Sequence, residues 1–504
     1  MSQEIELKLS LPARTLPALR RHPLLTAATK LGNARTLDNT YYDTPELDLK
    51  TRKVAVRTRR QGRVWLQTVK CAAVSSGGLS QRPEWEQPFT GAFDFSSVDA
   101  PEAAKLLARH GHRLTPVFTT RFRRETYRYA PREGVSMLLM IDKGAIEVET
   151  AERGKRSEPI CELEIELERG APLDLLELAC ELARDLPLMP ADVSKAERGY
   201  RLFLDQVPCP ARAETSTVTP DMNVVDAFRA LAHGCLRQWQ ANATAALDRH
   251  DPDFIHQLRV SQRRLRSLLK VFAPALPAEF VGEWNVRLRE NTSRFGDARD
   301  LDVLYTELLE PVCTEGLADA EGLPRLLRIA ADARAAARRK AERNLDAAEQ
   351  GRLLLEFGAA LLRLPTGPLA AAADLRAFAR LRLARLRKRG RRQFDAAADL
   401  VPTRLHALRI GFKQLRYTIE FFAPLFATKA TQRYTAELVR AQSTLGFLQD
   451  VDIAQARLNT WAGQDPALDA ATGFILGWHA PRYARLRRRV LRDCEPLLWG
   501  KTPW

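Results

Sequence analysis

The chain opens on an alternating stretch, Glu4-Ile5-Glu6-Leu7-Lys8-Leu9, in which charged and aliphatic residues take turns. Period two is the signature of a β-strand, because successive side chains point to opposite faces. One face carries Glu4, Glu6 and Lys8, the other only aliphatics. The pattern returns along the first 200 residues. Val54 to Arg59 puts Arg57 and Arg59 on one face, Val64 to Lys70 ends in a lysine, and Arg82-Pro83-Glu84-Trp85-Glu86 has charges on even positions only. Arg121-Phe122-Arg123 and the run Met137 to Asp142 continue it. Residues 160–168 repeat the opening, with Glu162, Glu164, Glu166 and Glu168 set against aliphatics, and Ser194-Lys195 closes the region. Residues 14–31 and Leu173 to Leu186 read as helices. Seven or eight strands with few helices predict an antiparallel barrel, its charged faces lining a wet lumen and its aliphatic faces covered by helices.

After Val207 to Pro220, a stretch rich in Pro, Ser and Thr, the period changes to that of helices and the chain becomes rich in Ala, Leu and Arg. This half contains a repeat. His256-Gln-Leu-Arg-Val-Ser-Gln-Arg-Arg-Leu-Arg266 aligns with His406-Ala-Leu-Arg-Ile-Gly-Phe-Lys-Gln-Leu-Arg416, 150 residues on. The same offset pairs Phe272 with Phe422, Gly296 with Gly446, Asp300 with Asp450 and Asp302 with Asp452. In the first copy His256, Arg259, Arg263, Arg266 and Lys270 form one helical stripe, and in the second His406, Arg409, Lys413 and Arg416 repeat it. Leu258, Leu265, Leu269 and Phe272, echoed by Leu408, Leu415, Ile419 and Phe422, form the apolar stripe beside it.

The charge is uneven. Of 78 Lys and Arg and 62 Asp and Glu, residues 1–210 hold 32 and 29, and residues 211–504 hold 46 and 33. The helical half is therefore the one expected to meet a polyanion. Seven scattered cysteines with no C-x-x-C pair argue against a disulfide framework or a zinc site and for a reducing compartment. No apolar run approaches the roughly 18 residues of a membrane span. A charged strand at residue 4 is no signal peptide, so a cytoplasmic location is expected.

Carboxylates gathered from two strands repel one another unless a cation lies between them, and hard oxygen donors favour Mg²⁺ or Mn²⁺. The basic residues of the other strands would hold a run of phosphates.

Glu-x-Glu-x-Lys at the start, with Arg57/Arg59, Lys70, Arg82-Pro83-Glu84, Arg121/Arg123, Asp142, the Glu162–Glu166 run and Lys195, resembles the CYTH family, the triphosphate tunnel metalloenzymes. The resemblance covers residues 1–205. It implies an eight-stranded antiparallel tunnel with flanking helices that acts on a triphosphate with a divalent metal. Members fused to a second domain look most like inorganic triphosphatases. It implies metal ligation by Glu4, Glu6, Asp142, Glu162, Glu164 and Glu166. It also implies catalytic roles for Lys8, Arg57, Arg59, Lys70, Arg82, Arg121, Arg123 and Lys195.

The duplicated His-x-x-Arg stripe resembles the CHAD domain. That likeness implies an all-α pair of four-helix bundles about a pseudo-two-fold, whose stripe residues, named above, bind inorganic polyphosphate. The expected domains are 1–205, a linker at 206–220, and 221–500 with copies of about 221–365 and 371–500. The two cores are expected to be self-sufficient. The readings left open are an organic triphosphate (thiamine triphosphate, or ATP cyclised to cAMP) and a non-catalytic polyphosphate-binding adaptor. Nucleic-acid binding is disfavoured by the scarcity of aromatics among the basic stripes.

Overall fold

The computed structural model describes residues 2–71, 74–249, 251–314, 321–365 and 374–504. These form two units, one of residues 1–210, 243–245 and 346–363, the other of the remainder.

In the first unit eleven strands form one sheet. They are β1 Ser2–Ser10, β2 Thr29–Lys30, β3 Arg35–Asp43, β4 Ala55–Gln61, β5 Val64–Lys70, β6 Val74–Ser76, β7 Leu79–Pro88, β8 Thr115–Arg132, β9 Val135–Thr150, β10 Gly154–Arg169 and β11 Met189–Pro190. Their order is β11-β1-β10-β9-β8-β3-β4-β5-β7-β6, with β2 on β8, and β1 also pairs with β7. All pairings are antiparallel, and the count is eleven rather than the expected eight. The additional strands β2, β6 and β11 are two or three residues long, too short to show alternation in the sequence.

The accompanying helices are the short α1 Leu16–Arg21, α2 Pro23–Thr26 and α3 Asp48–Thr51, then α4 Pro101–His110, α5 Pro172–Asp185 and α6 Lys195–Leu204. The single helix expected over 14–31 is broken where His22 turns extended ahead of Pro23. The aliphatic faces behave as the alternation requires. Leu7, Leu9, Leu139, Ile141, Leu163 and Ile165 are buried in one cluster with Leu175, Leu178, Ala179 and Leu182 of α5. Covering them with a helix turns the other faces of β1, β9 and β10, with their charges, away from that core.

That core is not built from residues 1–210 alone. A helix from far along the chain, Ala347–Arg363 (α13 in chain order), packs on α5 and β11 and adds Leu355 and Ala359 to the cluster. Gly351 sits against the Leu188 carbonyl, where a Cβ would overlap the oxygen, whereas a Cβ on Gly358 would meet Leu176 at an ordinary 3.7 Å. Gly351→Ala should therefore lower the thermal midpoint. Gly358→Ala should leave it unchanged or raise it slightly, since Ala favours a helix by about 1 kcal/mol over Gly. Parallel melting curves of the two variants check this.

The second unit contains α7 Val224–Asp248 (save residues 243–245), α8 Pro252–Phe272, α9 Ala278–Ser293, α10 Gly296–Val303, α11 Glu310–Thr314, α12 Leu323–Asn344, α14 Leu375–Ala396, α15 Pro402–Phe422, α16 Thr428–Gln464 and α17 Asp469–Trp499. The repeat is visible in the helices themselves, since α8 and α15 begin and end 150 residues apart. It then breaks. The first copy has α9 and α10 parted at Arg294-Phe295, where the second has the single 37-residue α16. The boundary expected between the copies, residues 366–370, lies outside the described residues.

The Pro/Thr-rich stretch is irregular but held to the second unit from residue 211 onward. The Ala211 N–H donates to Asn242 at 3.0 Å, Ser216 Oγ donates to the Phe421 carbonyl at 2.7 Å, and Val218 is buried. No described helix is long and apolar enough to cross a membrane.

Candidate active site and basic groove

Antiparallel register decides which side chains share a face. Lys8 lies opposite Glu164 and Glu6 opposite Glu166. Glu162 lies opposite Asp142, and Asp142 opposite Arg124. Asn39 lies opposite Arg59, Tyr41 opposite Arg57, Lys70 opposite Glu84, and Glu4 opposite Arg82. The charged positions of seven strands thus fall on one face of the sheet.

Two carboxylate groups form there. In the first, Asp142, Glu162 and Glu164 are buried, with one oxygen of each within 4.8 Å of the others. Lys195, delivered by the first turn of α6, donates to Asp142 at 2.8 Å, to Glu164 at 2.9 Å and also to Glu162. Arg124 donates to both Asp142 oxygens, at 2.7 and 2.6 Å, and to Glu164. Lys8 lies 3.6 Å from Glu164 and 3.7 Å from Glu6. Burial works to discharge Lys8, but Glu6, Glu164 and Glu162 outweigh it and raise its pKa. For Glu164, Lys195, Arg124 and Lys8 outweigh the opposing effect of burial and hold the carboxylate well below its usual range. This group is charge-balanced.

The second group, Glu4, Glu6, Glu84 and Glu166, is less well balanced. Lys70 reaches Glu4 at 2.9 Å and Glu84 at 2.7 Å, and Ser80 Oγ donates to Glu6 at 3.1 Å. Burial, with Glu4 and Glu6 facing it, pushes Glu166 up to about 7. Beside these acids Arg57 lies 3.7 Å from Glu84, and Arg59 donates to Asn39 at 2.9 Å. Burial and the cations Arg57 and Arg124 bring Arg59 down to about 10, so the guanidinium groups crowd one another as well.

In the second unit the stripes of α8 and α15 form a field of cations. Arg263, Arg266, Arg409 and Arg416 each have a buried Nε with no hydrogen-bond partner. Burial, then Arg409, Arg263 and Arg416, bring Lys413 down to about 7. Because Arg263 acts on both Lys413 and Arg409, the two stripes lie side by side. Burial and Arg299, Arg263 and Arg259 hold His256 at about 4. His406 differs, since its Nδ1 bonds to Gln449, which takes the place that Arg299 has in the first copy. Asp302 is ion-paired to Arg334 and Arg338, at 2.8 and 2.6 Å, and also acts on His256 of the first stripe.

Residues 2–200 match the family model of the CYTH domain and residues 230–459 that of the CHAD domain. The chain is a CYTH–CHAD protein. A relative, the inorganic triphosphatase of Haemophilus influenzae, is 30% identical over 209 residues, which are 40% of this chain and 55% of the relative. The CYTH–CHAD chain thus spans about half the length of that relative. Among solved structures, the CHAD domain from the plant Ricinus communis is 30% identical with a TM-score of 0.49, covering 59% of this chain and 99% of that one. A putative adenylyl cyclase from Hippeastrum, described as having a dominant triphosphatase activity, is 21% identical with a TM-score of 0.29, covering 39% and 95%.

The CYTH half brings together Glu4, Glu6, Lys8, Arg57, Arg59, Lys70, Asp142, Glu162, Glu164, Glu166 and Lys195. Arg121 and Arg123 are not among them. Both are exposed, and Arg121 pairs with Asp38 at 3.2 Å. On β8 the buried positions are Phe118, Thr120 and Phe122, so the even-numbered Arg124 shares their face. Arginines stand on both parities in Arg121-Phe122-Arg123-Arg124, and only the parity of Phe118 and Phe122 marks the right one. The Arg82 side chain lies outside what is described. Arg198, 2.6 Å from Glu158 and 3.5 Å from Glu162, is a further participant without a strand pattern to announce it.

Arg124→Gln should leave Asp142 and Glu164 short of a partner, costing about 3–5 kcal/mol as for a broken buried ion pair, and should reduce activity. Arg121→Gln should change neither. Melting curves and phosphate release on the two variants compare them.

Proposed function

We propose that the CYTH half hydrolyses inorganic triphosphate with a divalent cation, and that the CHAD half binds inorganic polyphosphate along its paired stripes. The observation that carries the first part is the concentration of buried carboxylates and cations on one face, with Glu166 pushed up to about 7 by burial and its neighbours. Oxygen-only donors that repel one another fit a divalent cation. Glu4, Glu6 and Glu166 would hold it, since Glu6 lies opposite Glu166 and both Glu4 and Glu6 act on Glu166. The bound cation would draw charge from phosphate oxygens as a Lewis acid. The β1–β7 pairing supports a tunnel formed by the eight longer strands.

The protein's own residues bind and orient the phosphates. Arg57, Arg59 and Lys70 are held by Tyr41, Asn39 and the acids Glu4 and Glu84, and would exchange those contacts for phosphate oxygens. Lys195 and Arg124 would present fixed positive charge to the transferring phosphoryl group, in a site where burial strengthens each interaction. Lys8, between Glu6 and Glu164, would orient the attacking water.

The inorganic substrate is favoured by the aromatic side chains on this face. Tyr41 is buried and stacked on Phe118 at 4.6 Å, and Phe122 is buried under Lys195 at 4.8 Å, so both are occupied. For the CHAD half, the stripe arginines with orphaned Nε groups support a polyanion. Orthophosphate release from inorganic triphosphate, ATP and thiamine triphosphate at equal concentration tests the substrate. Faster turnover of either organic compound would replace this reading by the organic one.

A further inference from the structure

The two stripes differ at their last position. Lys270 closes the first, and 150 residues on the second has Glu420. Glu420 is engaged, 3.3 Å from Arg416 and ion-paired to Arg264 across the two copies. The second stripe therefore ends on an acid already tied to its own Arg416 and to Arg264 of the first copy. The first ends open. Beside Lys270 runs α14, whose Arg382 donates to the Lys270 carbonyl at 3.0 Å. Burial, then Arg266 and Arg389, lower the pKa of Lys270, which places Arg389 close to the end of the stripe.

Along α14, Arg382, Arg385 and Arg389 fall at 0, +3 and +7, a single helical face with the same kind of spacing as the stripes. Arg385 and Arg389 are exposed, none of the three makes an ion pair among the described residues, and Arg382 has a buried Nε without a partner. Two other arginines of α14 are committed elsewhere. Arg387 and Arg391 donate to the backbone carbonyls of Leu497 and Leu498, tying down the C-terminal end of α17. On α12, Arg334 and Arg338 hold Asp302. On α17, Arg485, Arg488 and Arg492 are exposed at the same 0, +3 and +7 spacing, but among the described residues no contact ties them to Lys270 as Arg382 is tied.

We infer that Arg382, Arg385 and Arg389 form a third polyanion-binding strip that continues the α8 stripe past Lys270, so that a long polyphosphate chain leaves the groove over α14 and not past Glu420. The inference rests on polyphosphate binding by the stripes and adds a direction to it. The first stripe spans about 20 Å, at 1.5 Å per residue over Lys270 to His256. Only chains longer than the groove should feel α14.

The test uses the full-length protein and the variant Arg385→Gln/Arg389→Gln. Both positions are exposed, so the fold is not at stake. Affinities for polyphosphate of about eight residues, near the stripe length, and of about one hundred are measured across a salt series. Long-chain affinity should fall roughly tenfold or more for two lost contacts, and its slope against log salt should shrink by about 1.4, at about 0.7 per phosphate contact for a single strand. The short chain should bind as to the unaltered protein. Equal weakening of both lengths would mean a general field effect and overturn the strip, as would no change in either. If the unaltered protein binds neither chain, the polyphosphate reading itself fails.

Discussion

Replacing Glu6 by Gln is expected to cut triphosphate hydrolysis roughly tenfold or more, the scale seen when a metal site loses a supporting group, while the fold persists. Glu6 is buried, accepts from Ser80 Oγ at 3.1 Å and lies 3.7 Å from Lys8. Gln keeps the volume and the acceptor oxygen, so packing is retained, but it removes a negative charge from the group that Glu4, Glu84 and Glu166 complete. A cation there loses a ligand, and Lys8 loses part of what keeps it charged and in place. Phosphate release and a melting curve on the same preparation separate these effects. Full turnover in the variant would remove Glu6 from the site.

The second large effect belongs to the groove. Reversing Arg263 and Lys413 together to Glu should abolish polyphosphate binding and leave triphosphate turnover nearly unchanged. Arg263 has an orphaned Nε, and Lys413 is held down to about 7 by burial and by Arg409, Arg263 and Arg416 against Asp450. Such crowding of like charges opposes folding and is relieved by a polyanion. A lysine brought down to about 7 is protonated below that pH and neutral above it. Affinity should therefore fall between pH 6 and pH 8, and Lys413→Arg should flatten the fall. For the ligand-free protein the sign reverses. The unfolded lysine binds its proton up to about 10.4, so the contribution of Lys413 makes stability rise from about pH 7 toward that value. An unchanged pH profile in Lys413→Arg would exclude this lysine as the titrating group.

The strands of the CYTH half were legible because one face of each is buried, and a buried face imposes strict alternation. Glu4, Glu6, Lys8, Glu162, Glu164 and Glu166 could be read directly for that reason. Arg124 could not, because β8 carries arginines on both faces and charge alone has no parity. The short strands β2, β6 and β11 have too few residues to show a period. The duplicated helices were legible from the offset of 150, but offset says nothing about where symmetry stops. The break at Arg294-Phe295 appears only in the structure, whereas the change from Lys270 to Glu420 is visible at the offset and only the partners of Glu420 are not. Nothing in the sequence placed residues 346–363 in the core of the first unit. The small side of Gly351 that fits the Leu188 carbonyl has no signature beyond a glycine in a helix.

Metal dependence is tested most directly by orthophosphate release from inorganic triphosphate with the full-length protein stripped with EDTA and then given Mg²⁺ or Mn²⁺. Release should be negligible in the chelator and recover with either cation at concentrations that leave the melting curve cooperative. Undiminished release in EDTA would contradict metal dependence.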